Sequence, residues 1–423
     1  ELEATQFSTT TKLEGQTPFV IGANNFGGNA FYNETAFEAI RDVFPSDGDG
    51  GTGTQIVVGS DDTSVDFPVG KHSSKTSDGT SLATYGNRYF GATTFNYDIQ
   101  LNLNTSFTGK DLLTTTLRAG NFGKSSFGGG PTTLSTLEVA SESLDGGGGG
   151  DNVYIDKIFY TVPIGSDFTF IGGANVGQDD MMPMWPSIYP SGDANTVLDV
   201  LTLNGAPGAY NKTQGPGMAL NYENNGWVAG VQYVCDIGTC VNGNPQEGGV
   251  AADNSNGVGT VQIGYQAEQW GIAAVYSWLQ DPSLLPYSTS YTQLSYLQDG
   301  VDQSLNAFAL SAYWQPEETG WIPAISAGWG LNSTNFNDSD VPDEYVSTSQ
   351  SWQIALHWDD AFIQGNTAGM AVGQATFATE LVGGDTPFDG NYVWEWFYGF
   401  QVTDNVTLTP SLFYLSRPYG QLS

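Results

Sequence analysis

The stretch FNYDIQLNLNTSF, residues 95–107, decides the fold. Phe95, Tyr97, Ile99, Leu101, Leu103, Thr105 and Phe107 alternate without a break with Asn96, Asp98, Gln100, Asn102, Asn104 and Ser106. Successive strand side chains point to opposite faces, so this period sets an apolar, aromatic face against a polar one. The run is long enough for a tilted strand to cross a bilayer, and exceeds the roughly five or six residues usual in a soluble sandwich.

The same signature recurs along the chain. Leu113, Thr115, Leu117 and Ala119 share a face, as do Ile158, Tyr160, Val162 and Ile164, and then Val261, Ile263 and Tyr265. Ile272, Ala274, Tyr276 and Trp278 follow, then Phe308, Leu310, Ala312 and Trp314, then Trp352, Ile354, Leu356 and Trp358. Near the end, Tyr392, Trp394, Trp396, Tyr398, Phe400 and Val402 line up, before Val406, Leu408, Leu412 and Tyr414. Trp and Tyr gather near strand ends, where the interfacial girdles of a membrane barrel belong. Short connections, such as Gln266–Gln269 and Thr403–Asn405, alternate with long ones at about 24–87, 122–152, 177–216 and 280–303. The segments Thr35–Phe44 and Thr196–Leu203 have the pattern of short helices that plug a lumen. The fold expected is all-β: one transmembrane antiparallel β-barrel domain over residues 1–423. About sixteen strands are expected, with long external loops partly folded into the lumen.

Composition agrees. The 423 residues carry a net charge of -34, with 13% aromatic and only 13% charged residues, below the roughly one quarter charged of an ordinary soluble protein. No stretch has the 18 or so consecutive apolar residues of a membrane helix, and a closed barrel is the other structure that satisfies its backbone in lipid. Between Lys212 and Arg417 there is no Lys or Arg, which argues against nucleic acid as a partner. The rival class is a secreted or surface-exposed soluble β-rich adhesion or binding protein. It accounts for the acidity but not for the aromatic faces, and no fixed repeat runs along the chain.

Four segments carry a resemblance: QFSTTTKLEGQTPFVIG, LNLNTSFTGKDLLTTTLRAGNF, IDKIFYTVPIGSDFTFIGG and FQVTDNVTLTPSLFYLSRP. On them the chain resembles the cyanobacterial outer-membrane porins, a branch of the OprB-type carbohydrate-selective porin family. The resemblance implies a bacterial outer-membrane location, passive diffusion of inorganic ions and small hydrophilic solutes, carbohydrate or iron transport by family name, and a homotrimer. It also implies cell-wall tethering through an N-terminal surface-layer-homology domain that this chain lacks, with residues 1–6 as the end of a linker. No secretory leader opens the sequence, so a processed or truncated product is expected. Either a final strand is missing, or Val406–Leu415 pairs with Phe7–Val20 to close the barrel.

In a pore, charged side chains on the lining select ions. Asp98, Arg118, Lys157 and Glu395 are expected to point inward, with Lys12 and Arg88 near the first strands and His357 on the lumen face. A transverse field, basic on one wall and acidic on the other, is one reading; plain solvated lumen residues are the other. Cys235 and Cys240 are disulfide candidates. Asp47, Asp49, Asp179, Asp180, Asp338 and Asp340 are loop calcium candidates, set against simple solvated charge, and no other cofactor is expected. Acidic loops at the mouth favour cations weakly. The chain is read as a non-enzyme, since only His72 and His357 are available for Ser-His-Asp chemistry.

Overall fold

The structure is a computed structural model that describes residues 10–28, 53–57, 64–68, 82–141, 152–190, 197–297, 301–338 and 341–422. The strands begin with β1 (Thr11–Gln16), β2 (Phe19–Gly22), β3 (Gly53–Val57), β4 (Ser64–Pro68), β5 (Thr94–Thr105), β6 (Leu112–Gly120), β7 (Tyr154–Ile164), β8 (Phe168–Gly177), β9 (Gln214–Asn224) and β10 (Trp227–Cys235). They continue with β11 (Gly257–Gln266), β12 (Trp270–Leu279), β13 (Gln303–Trp314), β14 (Ala324–Phe336), β15 (Val346–Asp359), β16 (Thr367–Leu381), β17 (Tyr392–Thr403), β18 (Val406–Leu408) and β19 (Ser411–Ser416). Helices are short: α1 (Leu82–Phe90), α2 (Ile237–Cys240) and α3 (Ser290–Tyr296). All strands but the β3–β4 hairpin join one antiparallel sheet of 17 strands.

Two prolines explain its count. β1 and β2 both pair with β5 in one unbroken register, Thr11 opposite Thr105 and Phe19 opposite Tyr97, interrupted at Pro18. β18 and β19 both pair with β17, Leu408 opposite Phe400 and Ser411 opposite Phe397, interrupted at Pro410. Proline has no N–H for a ladder and is tolerated on edge strands, and these two interrupt the first and last strands of the sheet. The 17 strands therefore fill fifteen positions in the ladder order. With antiparallel neighbours throughout, an odd number makes the two edge strands run in the same direction.

That direction bears on the expected pairing of Val406–Leu415 with Phe7–Val20, of which residues 7–9 lie outside the described residues. Val406–Leu415 falls on β18 and β19, which pair with β17; among the described residues no ladder joins them to β1 or β2. An antiparallel closure of these two edges is excluded by their common direction. The edges nevertheless converge. Phe127, from the β6–β7 connection, meets the Phe413 ring edge-on at 6.3 Å, and a Cβ built on Gly22 would lie 2.7 Å from the same Phe127 ring. The sheet curls so that both of its edge strands meet the Phe127 side chain.

The core lies within the curl. One buried cluster sets Leu203, Ala206, Ala209 and Tyr210 of the β8–β9 connection against Val234, Val275, Leu305 and Ala307 of the wall. A second sets Phe122, Leu134, Leu137 and Leu198 against Ala355, Ala371, Val393 and Phe397. Long loops thus enter the barrel and supply its hydrophobic filling. Of the two expected helices, Thr35–Phe44 lies outside the described residues, while Asp199–Thr202 forms one short 3-10 turn.

Phe127→Ala is expected to cost about 3–5 kcal/mol, as for a buried phenylalanine. Hydrogen exchange checks it: protection should fall in both β2 and β19, which share no ladder, while β11–β13 stay protected.

Candidate functional site: the barrel interior

The wall is built to receive a backbone. On β14 the inward positions are Ser326, Gly328, Gly330 and Asn332, and the β8–β9 connection lies flat on them. A Cβ on Gly328 would stand 1.7 Å from the Asn204 carbonyl oxygen, and one on Gly330 would stand 2.9 Å from the Ala206 Cβ. Gly205 has φ +70, a left-handed conformation that costs glycine nothing, and it too presses on the Gly328 carbonyl.

Hydrogen bonds then fix the connection to several strands. Gln353 Nε2 donates to the Leu201 carbonyl at 3.0 Å, Ser311 Oγ to the Asn204 carbonyl at 3.1 Å and Ser277 Oγ to the Ala209 carbonyl at 2.9 Å, which also accepts at 2.8 Å from Gln178 Nε2 of the connection itself. The Ile188 N–H donates to Ser326 Oγ at 2.9 Å, and the Gln262 amide takes both the N–H and the carbonyl of Met184. A buried loop must satisfy its backbone groups, and here the wall supplies the partners.

Charged groups gather along β5–β9. Arg118 grips Asp98 with two hydrogen bonds, Nε at 3.0 Å and Nη2 at 2.9 Å, and stands 3.9 Å from Asp156. Lys157 lies 2.7 Å from Asp180. Lys212 reaches Asp199 at 2.7 Å, Glu138 at 3.1 Å and Thr202 at 3.0 Å, and Tyr287 donates to Asp199 from the far side. Loop–loop bonds run alongside, Glu138 N–H to the Val197 carbonyl and Asp199 N–H to the Thr136 carbonyl. Three connections thus meet at one ammonium group.

Burial and the neighbouring charges compete there. Burial first, and then the Asp199 charge, pushes Glu138 well above the usual carboxylate range. For Asp199 burial acts upward, but the Lys212 ammonium together with hydrogen bonds from Glu138 and Tyr287 outweighs it and holds the group below its ordinary value. Burial pulls on Lys212 in the opposite sense and loses to Asp199 and Glu138, so the ammonium is retained. Asp180 is raised to about 6, by burial and then by the charge of Asp179.

The expected lining residues take different places. Asp98, Arg118 and Lys157 stand together on the wall, each in an ion pair, so bases and acids interleave on one side. Glu395 is buried and accepts from Tyr189 OH and, at 2.7 Å, from the Leu198 N–H, which makes it a clamp on the loop. His357 Nε2 lies 3.0 Å from Asp359 at the short-turn end of β15. Lys12 pairs with Glu14 on β1 and is exposed, while Arg88 stands on α1 over the Tyr89 ring, off the barrel strands. Cys235 and Cys240 form a disulfide across a Cα separation of 5.7 Å. Of the calcium candidates, Asp180 serves Lys157 and Asp338 accepts from the Asp302 N–H at 2.9 Å. Asp47, Asp49 and Asp340 lie outside the described residues, as does His72. Among the described residues no group of three or more His, Cys, Asp and Glu is placed to hold a metal. Sequence reasoning missed Glu138, Asp156, Asp199 and Lys212; Lys212, the last base before a long base-free half, was the one legible signal.

At the outer end of the barrel Asp389 joins three elements. Its carboxylate accepts from Thr289 and Thr292 Oγ1 and from the Ala378 N–H, each at 2.7 Å, and from the Gln421 N–H at 3.0 Å. Burial raises it to about 6.

No family model matches this chain. It is 25% identical over 350 residues to an uncharacterised protein of Synechocystis sp., covering 77% of this chain and 60% of that one. It is 24% identical over 463 residues to an uncharacterised protein of Nostoc sp., covering all of this chain and 64% of the relative. The chain thus spans less than two thirds of the length of these relatives. Among solved structures it is similar to OprB of Pseudomonas putida, with TM-score 0.48 and 11% identity over 79% of this chain and 86% of that one. It is also similar to an anion-selective porin of Comamonas acidovorans, with TM-score 0.46 and 9% identity over 77% of this chain and 82% of the porin. At these values the fold rests on the strand ladders themselves.

Two outcomes test this interior. Gly328→Val is expected to expel the β8–β9 connection, and limited proteolysis should then cut within residues 197–213, which the parent protein protects. An ordinary aspartate titrates near 3.9. With Asp389 raised to about 6, the folded state binds more protons between about pH 4 and 6, so stability falls as pH rises through that window. Hydrogen exchange in residues 382–391 should show this fall, and Asp389→Asn should abolish it.

Proposed function

We propose that this chain is a bacterial outer-membrane channel through which small hydrophilic solutes and inorganic ions diffuse passively, with no catalytic step. The supporting observation is the division of the sheet into two faces. Val261, Ile263, Ile272, Phe308, Leu310 and Ile354 stand exposed on the outside, while their neighbours Gln262, Ser277, Ser311 and Gln353 are buried inward. Exposed apolar side chains on strand after strand are costly in water and favourable in lipid.

The interior charge supports a preference for cations. With Glu138 left out, because burial raises it well above the usual carboxylate range, the carboxylates Asp98, Asp156, Asp179, Asp180 and Asp199 outnumber Arg118, Lys157 and Lys212 by five to three. Close to a low-dielectric wall this excess draws cations, and salt screens it within about 3 Å at 1 M. Homotrimeric assembly, implied by the family resemblance, belongs to the same reading.

Planar-bilayer recording of the purified protein tests it. Stepwise conductance with a reversal potential favouring potassium over chloride is expected, with the preference weakening as salt rises. Asp156→Asn, which leaves the Arg118–Asp98 pair intact, should shift the reversal potential toward zero. Protein shown to be inserted but carrying no current would contradict an open channel.

A further inference from the structure

At the short-turn end the connections differ in kind. Those at 165–167, 225–226, 267–269 and 404–405 are short and carry Asp167, Asn225, Glu268 and Asp404, and the one at 106–111 adds a single large apolar side chain, Phe107, which lies against Tyr160. The β13–β14 and β15–β16 connections, neighbours in the sheet, instead carry Trp321, Ile322, Phe362 and Ile363, exposed by 84%, 62%, 78% and 62%.

Both turns fold back over the outside of the barrel. Trp358, on the outward face of β15, donates its indole N–H to the Trp321 carbonyl at 3.1 Å. Tyr398, on the outward face of β17, stacks with Phe362, and its hydroxyl donates to the Ala361 carbonyl at 2.6 Å. Trp321 meets Phe362 edge-on at 5.4 Å, and Thr319 Oγ1 donates to Asp360 at 3.2 Å, so the two turns form one unit. Phe362 adopts φ +62, an unfavourable conformation for a bulky residue. It is held there by the Gly365 N–H, which donates to Asp360 at 2.7 Å.

We propose that these two turns form a one-sided foot that inserts Trp321, Ile322, Phe362 and Ile363 into the headgroup layer of the adjoining phospholipid leaflet. The inference rests on the reading that the outer face meets lipid. It is carried by continuity: Trp358 and Tyr398, on which the turns rest, belong to the outward rows of Ile354, Leu356 and Trp396. Trp with mixed apolar neighbours at the end of an apolar band is the composition of a membrane interface. Charge separates lipid from a second copy of this chain. Glu317, Glu318, Asp359 and Asp360 rim the foot, and a copy would bring the same carboxylates against them. The same rim makes zwitterionic headgroups the better partner.

An environment-sensitive fluorophore on Trp321→Cys, Leu310→Cys and Asn405→Cys, in phosphatidylethanolamine–phosphatidylcholine vesicles, tests the foot. The Trp321 position should be several-fold less quenched by aqueous iodide than Asn405, and quenched by lipid carrying a nitroxide near the headgroup. Iodide quenching equal to that at Asn405 overturns the foot, as does shielding without nitroxide quenching, which would mean a protein contact. Leu310 reports the underlying reading: if iodide reaches it too, the outer face does not meet lipid.

Discussion

A strand has two faces, and its ladder allows no rotation between them. Here the registers run without slip over most pairs, from Trp227 opposite Tyr265 to Cys235 opposite Gly257, and from Gln303 opposite Phe336 to Trp314 opposite Ile325. A slip of one residue would turn every apolar side chain of a strand from one face to the other. The rest of the molecule depends on that lock. It sets Phe308 and Leu310 outside while Ala307 and Ala309 stay inside, and it lines the inside with residues small enough for another segment to lie against them.

That segment turns a sheet into a filled vessel. The glycines of β14 admit the backbone of the β8–β9 connection, polar wall side chains cap its carbonyls, and Lys212 draws in the β6–β7 and β12–β13 connections through Glu138, Asp199 and Tyr287. A buried ion cluster is weak evidence for stability, because desolvation offsets much of the attraction. Its effect here is geometric: Lys212 and Asp199 hold the β8–β9 connection to Glu138 of the β6–β7 connection, and Tyr287 of the β12–β13 connection adds a hydrogen bond to Asp199.

The outward face was legible where the alternation is clean, while Met218 and Leu220 of β9, Trp227 and Val231 of β10, and Ile325 and Trp329 of β14 are exposed on strands that were not read. Period two from Phe95 to Phe107 and from Trp352 to Trp358 needs no partner to be read, because the strand repeat and the lipid impose it directly. The division of long and short connections followed from Gly, Asn and Asp content. The interior was legible only in part. Asp98, Arg118 and Lys157 lie on strands, where alternation assigns a side; Glu138 and Asp199 lie in irregular segments, where no periodicity does. Glu395 was assigned the inner face and stands there, yet its partners Tyr189 and Leu198 are about two hundred positions away in sequence and nothing local announces them. Arg88 was drawn toward the wall by nearness in sequence to β5, while the helix that carries it stands apart. The strand count came close because the pattern was clear: about sixteen were expected, and the sheet has 17 strands, two pairs of which, split at Pro18 and Pro410, share one ladder position each.

The most direct measurement is cysteine accessibility along β13, one position at a time from Asn306 to Trp314, in protein inserted in lipid vesicles. The account predicts strict alternation. Asn306, Phe308, Leu310, Ala312 and Trp314 should react with a lipid-soluble reagent, and Ala307, Ala309, Ser311 and Tyr313 should resist both that reagent and an aqueous one. Uniform labelling from water, or odd positions open to the lipid reagent, would contradict a barrel with an apolar outside and a loop-filled interior.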